Sequence, residues 1–288
     1  MKPAPQCAAC LLSRVQFEAA LSTDDYELQM QALKTGLRVL ASTFEKERST
    51  NVISTQVHRE VYETLNDSDP YLELKKLSNT AALRLLPSVK NQIRESEDPF
   101  RDAVVAVTIG NTLDFGVQGF KAPIANFNKV FKELGANGLA IDDTDEIRKL
   151  ASGDVTYLTD NCGEIVLDTL LFEQIHALGG TITLVVRGAP ILNDATIEDV
   201  QNLGIEKQVD RVLTTGSNAV GICMKEVPDE VRVAIESADI IISKGMANYE
   251  SLTEHNYRPI AYLMQAKCKP VAESVPTAKG DLIAKIEI

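Results

Sequence analysis

The chain has 288 residues, 44% of them hydrophobic, and carries 41 acidic against 29 basic side chains for a formal net charge of -12. That is enough apolar material for one large or two small domains with real cores, and the acidic balance argues against a nucleic-acid backbone, which is gripped by clustered Lys and Arg. No run approaches the roughly 18 apolar residues of a membrane span, and MKPAPQCAAC lacks the apolar core of a secretory signal, so a cytosolic protein with no membrane partner is expected.

Cys7 and Cys10 form a C-x-x-C pair directly before the amphipathic run LLSRVQFEAALS. Such a pair can supply two zinc ligands, a redox couple, or merely small apolar residues at a helix start. Five cysteines in all is a sparse, odd count that suits reduced thiols or a metal site better than a disulfide framework. From Asp24 to about Lys132 the apolar residues recur at three- and four-residue spacing, which predicts helices throughout. Asp69-Pro70 and Asp98-Pro99 read as helix starts, with Pro in the first turn after an Asp cap. DPFRDAVVAVTIGNTLDFG is too long for a strand and ends on Gly110-Asn111, so it reads as a buried helix. Asn111 and Asp114, at the end of that run, are either site residues or ordinary caps of the next turn.

Near Ala140 the pattern changes. Strands are predicted at about 154–159, 181–187, 209–214, 238–243 and 258–264, with helices near 163–178, 195–203, 228–236 and 247–254. This alternation predicts parallel strands joined by crossover helices. The chain therefore divides into a helical portion over 1–135 and an α/β portion over 136–288.

The organising stretch is DVTYLTDNCGEIVLD, a strand, a polar elbow and a helix. The elbow carries three oxygen donors, Asp160, Asn161 and Glu164, more than one helix cap requires. The later loops repeat the arrangement: Arg187, Asn193 and Asp194 follow one strand, Asn218 another, and Lys244, Gly245 and Asn248 a third. In a parallel sheet all carboxyl ends share one edge, so these side chains are expected to converge on one crevice. Asp, Asn and Asp without His or thiolate make a hard ligand set, suited to magnesium, manganese or a similar divalent ion, nickel and cobalt included. Such an ion attracts phosphate, and Lys244, the helix start after Gly245, and Arg187 are candidate phosphoryl contacts. His58, His176 and His255 lie outside these loops, and no P-loop or Gly-x-Gly-x-x-Gly pattern is present, so a His-dependent triad or a nucleotide fold is not expected.

TDNCGEIVLD, RGAPILNDAT, GNTLDFG and SKGMANYESL, in that chain, resemble the damage-control phosphatases, in particular the small stand-alone prokaryotic type with an N-terminal C-x-x-C. The resemblance spans Cys7 to about Val275 and implies a helical N-terminal portion on a Rossmann-like, three-layer α/β core with a mainly parallel sheet. It implies metal-dependent hydrolysis of phosphate monoesters, with the metal held by residues matching Asp160, Asn161 and Asp194. Asp160, Asp194 and Lys244 are then the catalytic candidates. Substrate contacts are implied for the loop matching Lys244, Gly245, Asn248, Tyr249 and Glu250 and for that matching Asn111 and Asp114, beside Glu164, Arg187, Asn193 and Asn218 from the crevice argument. The ligand is a small phosphorylated metabolite; whether Asp160 or a water attacks phosphorus stays open. A non-catalytic sensor of a phosphometabolite or metal would use the same crevice. Cys268, at the end of IAYLMQAKC, is the candidate third thiolate for a structural zinc with Cys7 and Cys10, ahead of Cys162.

Overall fold

The computed structural model describes residues 1–112 and 137–288. Asp114 and the part of the predicted helical region from Leu113 to about Lys132 lie outside the described residues. Five helices come first: α1 (Pro5–Ser22), α2 (Tyr26–Thr43), α3 (Thr50–Leu65), α4 (Leu72–Arg94) and α5 (Pro99–Gly110). Local chemistry starts several of them. Asp25 accepts from the N–H groups of Glu27 and Leu28 to cap α2, and Asp98 accepts from Arg101 N–H ahead of Pro99 to cap α5. A helix does start just after Asp69-Pro70, at Leu72, but Asp69 is not its cap: it pairs at 2.5 Å with Lys75 Nζ, and Tyr71 holds the cap position without a side-chain bond. The run DPFRDAVVAVTIG is the expected buried helix, since Phe100 and Ala103 to Gly110 are all out of solvent.

The second part is β1 (Ile141–Asp142), α6 (Thr144–Leu150), β2 (Asp154–Leu158), α7 (Glu164–Ala177), β3 (Thr181–Val186), α8 (Ile197–Leu203), β4 (Arg211–Thr214), α9 (Asp229–Ser237), β5 (Ile240–Lys244), α10 (Gly245–Leu252), β6 (Ile260–Gln265), α11 (Lys269–Ser274) and β7 (Leu282–Glu287). These form one seven-stranded sheet in the order β1-β7-β6-β5-β2-β3-β4. The five predicted strands are present and parallel, each within about two residues of its expected ends. The sequence pattern did not show β1, which is two residues long, or β7, which runs antiparallel to β6 with Leu263 opposite Ala284.

Three hydrophobic clusters account for the layers. On one face of the sheet α4, α5, α6 and α7 share a core with Val155, Tyr157, Ile240 and Leu263. On the other, α9, α10 and α11 pack on Leu158, Ile241 and Tyr262. Helices α4 and α5, grouped with the helical portion in the sequence, thus belong to the core of the sheet. Among the described residues, α1 to α3 build a separate core with Tyr71 and Leu74 from the start of α4, and it closes on Ile191, Leu192 and Val220, in loops that follow β3 and β4.

The strand order places the site. From β2 the chain winds outward through β3 and β4, then returns to lay β5 on the opposite side of β2. Loops leaving β2 and β5 therefore diverge to opposite faces at a topological switch point, which opens a crevice at the carboxyl edge.

Candidate active site

Two loops are sewn together at this edge. Asp160 C=O accepts from Ala195 N–H at 2.8 Å, Cys162 N–H donates to Asn193 C=O at 2.8 Å, and Asn161 and Asp194 face each other across an isolated antiparallel bridge. Backbone bonds alone therefore bring Asp160, Asn161 and Asp194 to one point. All three are buried, at 6%, 5% and 3% exposure. The start of α7 is fixed from α4: Gly163, at a φ of 80°, donates its N–H to Asn79 Oδ1 at 2.6 Å, and a Cβ there would press on Ser78.

The amides converge on the carboxylates. Asn111 Nδ2, at the end of α5, donates to Asp160 Oδ2 and Glu164 Oε2, both at 2.9 Å, and its Oδ1 accepts from Gln265 N–H at 3.2 Å. Asn161 Nδ2 donates to the same two carboxylates at 2.7 and 3.0 Å. Asn111 thus joins the carboxylate cluster as well as ending its helix. Burial pushes the Asp160 carboxyl well above its ordinary range, and the Asp194 and Glu164 carboxylates push it further, opposed by Lys267 and Arg187.

Gly245 explains how Asp160 is approached so closely. It opens α10 at a φ of +74°, and a Cβ on it would fall inside the contact distance of the Asp160 carboxylate. Arg187, 1% exposed, donates from Nε to Asp194 Oδ2 at 2.6 Å and from Nη2 to Asn248 Oδ1 at 2.8 Å. Its Nη1 has no partner among the described residues. Asn248 in turn donates to the carbonyls of Thr159 and Lys244, at 2.9 and 2.8 Å, and so ties the ends of β2 and β5 together.

Lys244 sits lower than its motif suggests. It is fully buried, and its ammonium donates to Glu164 Oε1 and Asp168 Oδ1, each at 2.6 Å, and to Val107 C=O at 3.1 Å. Three protons meet three acceptors, so the expected phosphoryl contact is replaced by an ion cluster beneath the site. Burial alone would pull this ammonium down, but Asp168 and Glu164 outweigh it and hold it above its ordinary range. Burial likewise lifts the Asp168 carboxyl to about 6, with Lys244 holding it down.

A cavity of about 180 Å³ opens over Asp160, Asn161, Asn193 and Asp194. Its walls include Arg14, Glu250 and Lys267, and also the thiols of Cys7, Cys10 and Cys268. Burial raises the Glu250 carboxyl to about 7 against the opposing charges of the N-terminus and Arg14. Lys267 was missed in the sequence although its place obeys the rule that found the others, since it follows the carboxyl end of β6. Arg14, on α1, gave no such signal.

Two expected contacts go elsewhere. Asn218 Oδ1 accepts from Arg59 Nε at 2.7 Å in a separate cavity, because the loop after β4 turns toward α3. Tyr249 points from α10 into the opposite core, with its ring 4.9 Å from Tyr262 and its hydroxyl 3.0 Å from Ser274. Cys7, Cys10 and Cys268 share a cavity wall as free thiols, but no group of three or more His, Cys, Asp or Glu among the described residues is arranged to hold a metal. One helix turn carries Cys7 and Cys10, and Cys268 is the residue before α11, so the three thiols named for zinc come to the cavity from two elements.

The donor set over β2 and β3 does fit a divalent ion. Asp160 and Asp194 are crowded, buried carboxylates whose repulsion a cation would relieve, and a half-turn of the Asn161 amide would present an oxygen beside them. The set is oxygen-only, as a hard ion requires.

The model of the damage-control phosphatase ARMT1-like domain matches residues 4–283 of this chain. A protein of Archaeoglobus fulgidus named damage-control phosphatase is 46% identical over 286 residues, 99% of both chains. Damage-control phosphatase PH1575 of Pyrococcus horikoshii is 30% identical over 286 residues, 98% of this chain and 97% of that one. The crystal structure titled as a duf89 family protein (ph1575) from Pyrococcus horikoshii aligns with a TM-score of 0.91 and 30% identity over 99% of both chains.

Proposed function

The chain belongs to the ARMT1-like damage-control phosphatase family, and from that premise we propose that it hydrolyses small phosphate monoesters with a divalent ion held by Asp160, Asn161 and Asp194. The observation that carries this reading is the stitching of two loops that sets the two carboxylates and the amide side by side, buried, at the floor of the cavity. When bound, a divalent ion supplies charge neutralisation and polarisation of the phosphoryl group.

The protein's own groups supply orientation. Asn111 holds the Asp160 carboxylate by a hydrogen bond, and the Lys244 ion cluster anchors Glu164 beside it. Arg187 fixes Asp194 through Nε. Lys267 and Arg14 give the cavity wall its positive charge, suited to phosphate oxygens, and Lys267 replaces Lys244 as the cation offered to the phosphoryl group. A cavity of about 180 Å³ suits a small metabolite.

Purified protein assayed on a panel of sugar and cofactor phosphates should turn over with added magnesium, manganese, nickel or cobalt, and stop with a chelator. Asp194→Asn should lower turnover by about a hundredfold or more, the scale of losing a group that stabilises transition-state charge. Phosphate-ester binding without turnover under every metal would make the protein a sensor and sink the enzymatic reading.

A further inference from the structure

Leu192 has a φ of 50°, one of few non-glycine residues of the described chain in the left-handed region. A branched side chain rarely holds that conformation without support from its surroundings. Leu192 stands two residues before Asp194, and the turn it makes closes with Asp194 N–H donating to Ile191 C=O at 3.1 Å. The support comes from the helical portion. Leu192 N–H donates to the hydroxyl of Tyr62, on α3, at 3.0 Å, and both residues are buried.

Tyr62 does not line the cavity over Asp160. It is set in the core of α1 to α3, with its ring centroid 6.4 Å from that of His58. His58 Nδ1 lies 2.8 Å from Glu18 Oε1, and Tyr71 donates to the same oxygen at 3.4 Å. The hydroxyl that meets Leu192 therefore rests on a fixed buried framework. Without it, a buried N–H would lose its acceptor at a residue already strained, and the segment leading to Asp194 could relax.

We propose that Tyr62 is a positioning residue of the metal centre, holding Leu192 in the left-handed turn that aims Asn193 and Asp194 at Asp160. The proposal rests on the reading of Asp194 as a metal ligand. It makes the helical portion part of the site, acting through one hydrogen bond on the shape of a loop it does not itself supply.

The test is direct titration of Mn2+ into metal-free protein by equilibrium dialysis, beside urea unfolding of the same samples. Tyr62→Phe should bind Mn2+ about tenfold more weakly than wild type, the usual scale for losing a group that orients a ligand. Tyr71→Phe, which removes from the same core a buried hydroxyl that donates to Glu18, should keep wild-type affinity. Equal affinity of Tyr62→Phe and wild type would overturn the proposal, and so would an equal loss in both variants, which would mark general loosening of the core. Failure of wild-type protein to bind Mn2+ at all would sink the metal reading itself and this proposal with it.

Discussion

The most informative residues of the site are those whose chemistry is set by what lies beneath them. Lys244 looks like a phosphate-binding cation because it follows a strand end, yet Glu164, Asp168 and Val107 take all of its protons. Breaking such a cluster leaves buried charge uncompensated, so its contribution is to hold Glu164 in place. Gly245, in contrast, acts by having no side chain. Its φ of +74° and the Asp160 carboxylate against its Cα leave no room for a methyl group. Gly245→Ala should displace that carboxylate and cut turnover on the order of a hundredfold, as misplacement of a reacting group by about 1 Å can do. Unchanged kcat and KM in Gly245→Ala would show that Asp160 does not need its present position.

Among the elements, the elbow from β2 into α7 concentrates the local design. Val155, Tyr157 and Leu158 bury the strand on both faces, and the polar residues that follow stop it. Glycine at 163 then admits the positive φ at the helix start, and α4 supplies the acceptor that the free N–H needs. Asn79→Ala should therefore destabilise the protein by about 1–3 kcal/mol in urea unfolding, the penalty for leaving a buried donor unsatisfied. A change under about 0.5 kcal/mol, the ordinary scatter of surface substitutions, would mean that the loop finds another acceptor. Helix α5 plays a comparable part at the other side of the crevice. Its buried run carries Asn111 to the carboxylates, and an exposed helix could not have delivered an amide so deep.

At the scale of the whole molecule, the site is shared by parts far apart in sequence. The sheet edge provides the carboxylates, α5 an amide, and α1 the wall with Arg14 and the two thiols of the C-x-x-C pair. The proposed cation, bound among the acidic groups crowded at the floor, would stabilise the folded state. At a free Mn2+ concentration about a hundred times its Kd, linkage gives about 2.7 kcal/mol. The melting temperature of wild-type protein should rise by several degrees with saturating Mn2+, and that of Asp160→Asn should not. An equal rise in the variant would place the stabilising ion somewhere else.

The sequence by itself determined the strand, elbow and helix around Asp160, the parallel alternation after Ala140, and the convergence of Asp160, Asn161 and Asp194. Each follows from local rules: period of the apolar residues, turn chemistry, and the fact that parallel strands place their carboxyl ends on one edge. The buried helix α5 and its end at Asn111 were legible for the same reason, whereas the place of Asn111 beside the carboxylates was only implied by the resemblance. Which strand-end residues face the crevice was not. Lys244 was drawn into the interior by acidic partners on α7, Tyr249 by an aromatic neighbour on the next strand, β6, and Asn218 was turned outward to Arg59 on α3. Lys267 and Arg14 reach the cavity only because β6 lies next to β5 and α1 closes over the loops after β3 and β4. Strand order and side-chain direction depend on long-range packing, as between Arg59 and Asn218, and no periodicity within a segment encodes that choice.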